Sequence, residues 1–257
     1  MPTLANYICC EPHIPSAFLH LGDSTKIRAI WLNGVQDSVG ENLWSALHHF
    51  RDPKNSKLLW IDALSIDRGN VREKNYQIPL MAFVYRRAKE VLVWLGPQEP
   101  PLDLSSKKDG SIWTSANPDE ARVDPFWYSM EYWVYQMIYQ EYWKRAWIIR
   151  EIGVASNIQV CFGKKSLPWE QFIWVIRGYE RHVTPKPPIA SILSLDRVRQ
   201  SKYGNGDTYS LSSLLGTFRN AFSGLPHDKI YAFLGMANDH LDGSIAIDYG
   251  KSLLELY

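Results

Sequence analysis

Three cysteines in 257 residues, Cys9, Cys10 and Cys161, are too few and too oddly placed for a disulfide framework. An odd count with two adjacent thiols suits a reducing compartment instead. An excess of charge is also missing. Against 27 acidic side chains stand 28 basic ones, a formal net charge of +1, so no overall field draws the chain to nucleic acid or to an anionic membrane. An anionic ligand therefore has to be held by a local site. No apolar run approaches the ~20 residues of a membrane span. The opening "MPTLANYICCEPHIPS" has neither the charged nor the apolar region of a signal peptide. A soluble, cytoplasmic protein is the expectation. Also lacking are a glycine-rich phosphate loop, a serine-nucleophile elbow, internal repeats and low-complexity tracts. Cys9, Cys10, His13 and His20 match no zinc spacing, so neither a metal nor a cofactor is expected.

Aromatic residues are plentiful, with eleven Trp and fourteen Tyr, enough for a large core, a partner surface or stacking platforms for flat ligands. Apolar patterning divides the chain further. "SAFLHLGDSTKIRAIWLNG" alternates and ends in a turn signal at Asn33-Gly34, predicting one or two strands. "SVGENLWSALHHF" has helical spacing, with Ser38 as candidate cap. "KLLWIDAL" and "EVLVWLGP" read as buried strands. Between them "IPLMAFVYRRA" is helical, and Pro79 is expected in its first turn. Strands alternating with helices predict a largely parallel α/β sheet with helices on both faces. Residues 98–125 interrupt the rhythm as a surface insertion, and 126–154 predict two aromatic-rich helices. "IQVCFG" reads as a strand, "PWEQFIWVIRGYERH" as a helix, and 183–210 as irregular around a short helix near Ile192 to Arg199. The chain stops inside a helix-like pattern at "KSLLELY", as a fragment of a longer protein would.

Five segments occur in a telling order: Trp60-Ile61-Asp62-Ala63; Gln77-Ile78 with Met81, Tyr85 and Ala88; Leu92-Val93-Trp94-Leu95-Gly96; Arg145, Trp147 and Glu151; and Asp228-Lys229-Ile230-Tyr231-Ala232-Phe233-Leu234-Gly235. Together they resemble the fungal heterokaryon-incompatibility (HET) domain over roughly residues 16–257. Three stretches depart from that pattern: Ser65-Ile66-Asp67-Arg68 where the family usually has Cys-Ile-Asn-Gln, Leu19-His20-Leu21-Gly22 in place of Ser-Tyr-x-Trp-Gly, and Arg150 where Gln is usual. The HET pattern is itself similar to the TIR domain. That resemblance implies a flavodoxin-like sheet at about 16–165, carrying the 98–125 insertion, followed by a mainly helical extension over 166–257, all within one domain. It also nominates Glu151, matching the glutamate that is catalytic for NAD cleavage in enzymatic TIR domains.

The chemistry is coherent with such a nomination. Breaking the nicotinamide–ribose bond of NAD develops a ribosyl cation that a fixed carboxylate stabilises. Arg68, Arg150 or helix amides would hold the pyrophosphate. Trp147 or Trp60 would offer a face to a flat ring. Ligands of open parallel sheets gather beyond the carboxyl ends of strands, where Gly22, Asp23, Asp62 and Asp67 fall. Plainer roles stand beside these: core packing for Trp60, Trp94 and Trp147, a turn or arginine pairing for Asp62, a solvated turn at Asp67-Arg68-Gly69, an exposed helix pair or an Arg145 bridge for Glu151, and a helix cap for Asp228. Two functions follow from the resemblance. One is a cell-death effector of nonself recognition that hydrolyses NAD. The other is a non-enzymatic module that signals by self-association with itself or other incompatibility proteins, using the aromatic stretch from Phe126 to Trp147 as contact surface.

Overall fold

The computed structural model describes residues 17–18, 26–100, 125–181, 187–203, 209–240, 245–252 and 255. Strand β1 is Ala17–Phe18. An antiparallel hairpin follows, β2 at Ile27–Leu32 and β3 at Val35–Gly40, closed by Asn33 and Gly34, both at positive φ as a two-residue hairpin turn requires. Helix α1 is Glu41–Phe50, β4 Leu59–Trp60 and α2 the single turn Asp62–Ser65. Next come α3 (Val71–Arg87) and β5 (Val91–Trp94), then α4 (Pro125–Ile138) and a 3₁₀ turn at Glu141–Lys144. Helix α5 is Trp147–Val154, β6 Ile158–Phe162, β7 Lys165–Pro168 and α6 Trp169–Glu180. Three helices complete the series: α7 (Pro187–Tyr203), α8 (Leu211–Thr217) and α9 (Asp228–Leu234).

Strand β4 pairs parallel with β1, and β5 pairs parallel with β6, while β7 folds back antiparallel on β6. Strand β1 also lies close to β5, so the two ladders are neighbours. Alternation along β5 shows what covers them. Val91, Val93 and Leu95 point into a large core shared with α3, α4, α5 and α6, whereas Leu92 and Trp94 join a smaller core with the hairpin and α1. Strand β4 divides the same way, with Leu59 in the small core and Trp60 packed against the large one. Both faces are therefore covered, which is why these strands read as continuous apolar runs.

The architecture is mixed α/β, and several local expectations are corrected. The segment after Trp60 does not continue as a strand: Asp62 opens α2. The residues around "KIRAIWLNG" form a hairpin of their own rather than a member of the parallel ladders. Ser38 lies in β3 and caps nothing, because Glu41 starts α1. Helix α3 starts two turns earlier than the apolar spacing indicates. The Asn70 side chain accepts from Glu73 N at 3.1 Å and the Glu73 carboxylate accepts from Asp67 N at 3.1 Å. This capping is worth about 1 kcal/mol, and it leaves Pro79 inside the helix on its exposed side. Residues 126–154 hold two helices and a 3₁₀ turn, and α7 runs 17 residues through the stretch expected to be irregular. Asp228 is the first residue within α9, with His227 at the cap position. Gly22, Asp23, Cys9, Cys10, His13, His20 and all but the margins of the 98–125 insertion lie outside the described residues.

Candidate functional site

Where β4 ends, α2 turns Asp62 inward to 3% exposure. Its carboxylate accepts from Ala63 N and from Arg68 Nη2, each at 2.7 Å. Arg68 reaches back across a loop built from its own polar residues, in which Asp67 accepts from Gly69 N at 2.9 Å. The pair is one-sided, with Asp62 buried and the Arg68 side chain 55% exposed.

Asp62 and Arg68 line a cavity of about 230 Å³ together with Lys74, Ile78 and Met81 of α3, Arg145 and Trp147 before and in α5, Phe222 to Leu225, Asp228 and Tyr249. Distant chain segments form its walls. The backbone around Arg145 is held by a parallel bridge to Phe222, with Ala146 N donating to Phe222 O at 2.8 Å and Phe222 N to Lys144 O at 2.5 Å. That bridge presents Phe222 at the rim, 68% exposed. Tyr249 is placed by a clasp from the far end of the chain. Asn75 Nδ2 donates to Asp248 Oδ1 at 2.8 Å, Tyr249 N donates to Asn75 Oδ1 at 2.9 Å, and the Tyr231 hydroxyl donates to Asp248 O at 3.0 Å. Tyr249 in turn donates its hydroxyl to Asp228 Oδ1 at 2.6 Å, and Lys74 Nζ lies 4.5 Å from its ring centroid. Burial first, and then the Asp228 charge, push the Tyr249 phenol well above its ordinary pKa.

Behind this wall every residue of α5 is buried. Arg150 is 1% exposed, and its guanidinium carbon stacks 4.5 Å from the Trp147 ring centroid. Its hydrogen bond to Tyr231 O is long at 3.5 Å, its other goes at 3.5 Å to the Met81 sulfur, a weak acceptor, and among the described residues Nε has none. Loss of water pulls its pKa down to about 10. Glu151 is likewise 1% exposed and is not among the cavity's lining residues. Burial, and then the Glu151 charge, raise the pKa of both Tyr85 and Tyr142, and Asp62 adds to the rise at Tyr85. Asp62 and Glu151, from segments 89 positions apart, thus act electrostatically on one phenol. No ion pair joins Glu151 to Arg145 among the described residues, and Glu151 is no exposed helix residue.

The structure therefore brings Asp62, Arg68 and Trp147 to one cavity, with Arg150 stacked on Trp147 and Glu151 buried on the same helix. It does not bring Asp67, which serves its own turn. Trp147 is 9% exposed with one face taken by Arg150 and offers no open stacking face, whereas Phe222 does; Trp60 is half-buried against the large core and does not line the cavity. Sequence reasoning missed Lys74, Phe222 and Tyr249, whose roles depend on contacts across the chain, and it considered Arg145 only as a bridge. A signal for Glu151 was available: in "WIIREIGV" apolar residues surround the helix on every side, the pattern of a buried helix rather than a surface one.

With the cleft defined by these segments, similarity places the chain among known proteins. A sequence profile described as "Heterokaryon incompatibility protein (HET)" matches residues 16–151, more than half of the chain. The chain belongs to this heterokaryon-incompatibility family. It is 23% identical over 298 aligned positions to "Heterokaryon incompatibility protein 6, OR allele" of Neurospora crassa, an alignment covering 90% of this chain and 44% of that protein. The chain thus spans less than half the length of that curated relative. No solved structure matches it. Among the described residues no helix is long and apolar enough to cross a membrane.

Proposed function

We propose that this HET domain acts in fungal nonself recognition by hydrolysing NAD at the nicotinamide–ribose bond, triggering cell death. The observation that carries the reading is a cleft bearing Asp62 with Arg68, Lys74 and Arg145 and walled by Trp147, whose helix also carries the buried Glu151. The order of strands supports it as well. Strand β4 pairs parallel with β1, β5 pairs parallel with β6, β1 lies near β5, and Asp62 follows the carboxyl end of β4, an arrangement compatible with the TIR-like sheet the resemblance implies.

In the proposed reaction the bond between the ribose C1′ and the pyridinium nitrogen breaks. Its electron pair leaves with nicotinamide and neutralises the ring. Water adds to C1′ and loses a proton to solvent, giving ADP-ribose. The Glu151 carboxylate supplies the negative field for the ribosyl cation, a role worth roughly 10²–10³ in rate for one preorganised group. Burial of Glu151 on the same helix as Trp147 makes a silent monomer the natural resting state, with self-association on activation opening the wall. Purified protein incubated with NAD at low and high concentration tests this. Release of nicotinamide that rises steeply with protein concentration is expected, and Glu151→Gln should lower it at least 100-fold. Wild-type killing of cells with no loss of NAD would remove the enzymatic reading.

A second reading, a non-enzymatic self-associating module, is favoured by a different observation. Tyr76, Leu80 and Phe83 form an exposed apolar stripe on α3. In the aromatic stretch expected to serve that purpose, Trp133, Tyr142, Trp143 and Trp147 belong to the core, while Tyr132 and Tyr135 are exposed.

A further inference from the structure

We infer that the cleft is a phosphate site whose receiving group is Arg145, assisted by Lys74, and that its ligand is a phosphorylated nucleoside. This deepens the nucleotide reading above but does not require the cleavage step. Three cations and two carboxylates line the cavity. Asp62 is bound by Arg68, and Asp228 receives the Tyr249 hydroxyl. Among the described residues no ion pair joins Arg145 or Lys74 to either carboxylate. Arg145 Nη1 is buried and, among the described residues, has no hydrogen-bond partner. A buried guanidinium nitrogen in that state forfeits solvation with nothing in return, which native structures rarely tolerate outside a site. Among the described residues the Lys74 ammonium meets the Tyr249 ring. Arg150, stacked beneath Trp147 and far from satisfied, adds positive potential from below.

The planar fork of Arg145 matches two oxygens of a phosphate. Aromatic surfaces border the same space, Phe222 at the rim and Tyr249 on the wall, and they suit a flat ring joined to that phosphate. A volume of about 230 Å³ accommodates a phosphate with part of the nucleoside joined to it, and the remainder of a longer ligand would extend past the Phe222 rim. The pyrophosphate donors suggested by sequence, Arg68 and Arg150, are thereby replaced. The first is spent on Asp62 and the second is covered.

Calorimetric titration with ADP-ribose, inorganic pyrophosphate and adenosine tests the assignment. Wild-type protein should bind ADP-ribose and pyrophosphate, with affinity falling as salt rises. Arg145→Gln should weaken ADP-ribose about tenfold or more, Lys74→Gln by a few-fold, and Arg145→Lys by an intermediate amount, as expected for charge-assisted hydrogen bonds. Adenosine should bind the wild type and the three variants alike. The lysine variants keep the test meaningful if Arg145→Gln proves unstable on melting. Equal ADP-ribose affinity in wild type, Arg145→Lys and Lys74→Gln, or no binding of either phosphate probe to the wild type, overturns the site. Arg145-dependent binding without NAD cleavage leaves this site standing and removes the enzyme. Cleavage of NAD with KM unchanged in Arg145→Gln does the reverse.

Discussion

Two arginines lie buried against the same helix, α5, and the protein treats them differently. Arg199 of α7 reaches the helix's carboxyl end and donates to the carbonyls of Ile152, Ala155 and Ser156. It satisfies groups that any helix end leaves open and complements the dipole there. Its neighbour Asp196 is equally well used, accepting from Trp169 Nε1 and Arg177 Nη2 at 2.9 Å and from Gln200 at 2.8 Å. Arg150, within α5 itself, has two 3.5 Å contacts, an aromatic face and an open Nε. Burial costs both guanidinium groups their water, yet only one recovers the loss in hydrogen bonds. Where every polar atom is matched, the cluster serves the scaffold. Where the matching stops, beside the Asp62 cleft, stability has been traded for something else.

The sharpest way to break this contrast is to give both arginines the same substitution. Arg199→Met should remove the hydrogen bonds to the carbonyls of Ile152, Ala155 and Ser156 at and just beyond the carboxyl end of α5 and destabilise by about 3–5 kcal/mol in urea unfolding. Arg150→Met should leave stability unchanged or raise it by up to ~2 kcal/mol, because an apolar side chain of similar length replaces a poorly paired buried charge. NAD cleavage should nonetheless be lost in that variant. Equal destabilisation by the two changes would show that Arg150 is scaffold too. A smaller effect refines the cleft side. Tyr249→Phe removes the hydroxyl bound to Asp228 and should cost about 1–2 kcal/mol at neutral pH. The folded-state phenol is raised above its unfolded value, so its contribution is complete below pH ~10 and is lost as pH rises through and beyond that value. Melting curves for wild type and Tyr249→Phe should therefore converge on the alkaline side only.

How much of this was legible beforehand follows from the range of the interactions involved. Strands β4, β5 and β6 stood out because burial on both faces writes itself into a few consecutive residues. The Asp62 to Arg68 region could be named because the pair spans six positions. The same local reading carried Asp67 into the site, since an exposed turn and a binding loop use the same residue types. Pro79 misplaced the start of α3, because its helix-breaking tendency was weighed and the Asn70–Glu73 cap was not. Tyr249, Lys74 and Phe222 meet only in three dimensions. No spacing announces a wall assembled from residues 74, 145, 222 and 249.

That clasp also has a consequence in time. Asn75 and Asp248 are separated by 173 positions. At roughly 5–20 residues per second, a ribosome needs on the order of 10–35 s to pass from one to the other. Throughout that interval α3 and the Asp62 loop are already synthesised, but the cleft has no Tyr249 wall. A chain that stops short, through a premature stop or proteolysis of an unfinished product, carries the early motifs and lacks the closed cleft. If the finished domain is lethal, its unfinished copies are harmless by the order in which they are made.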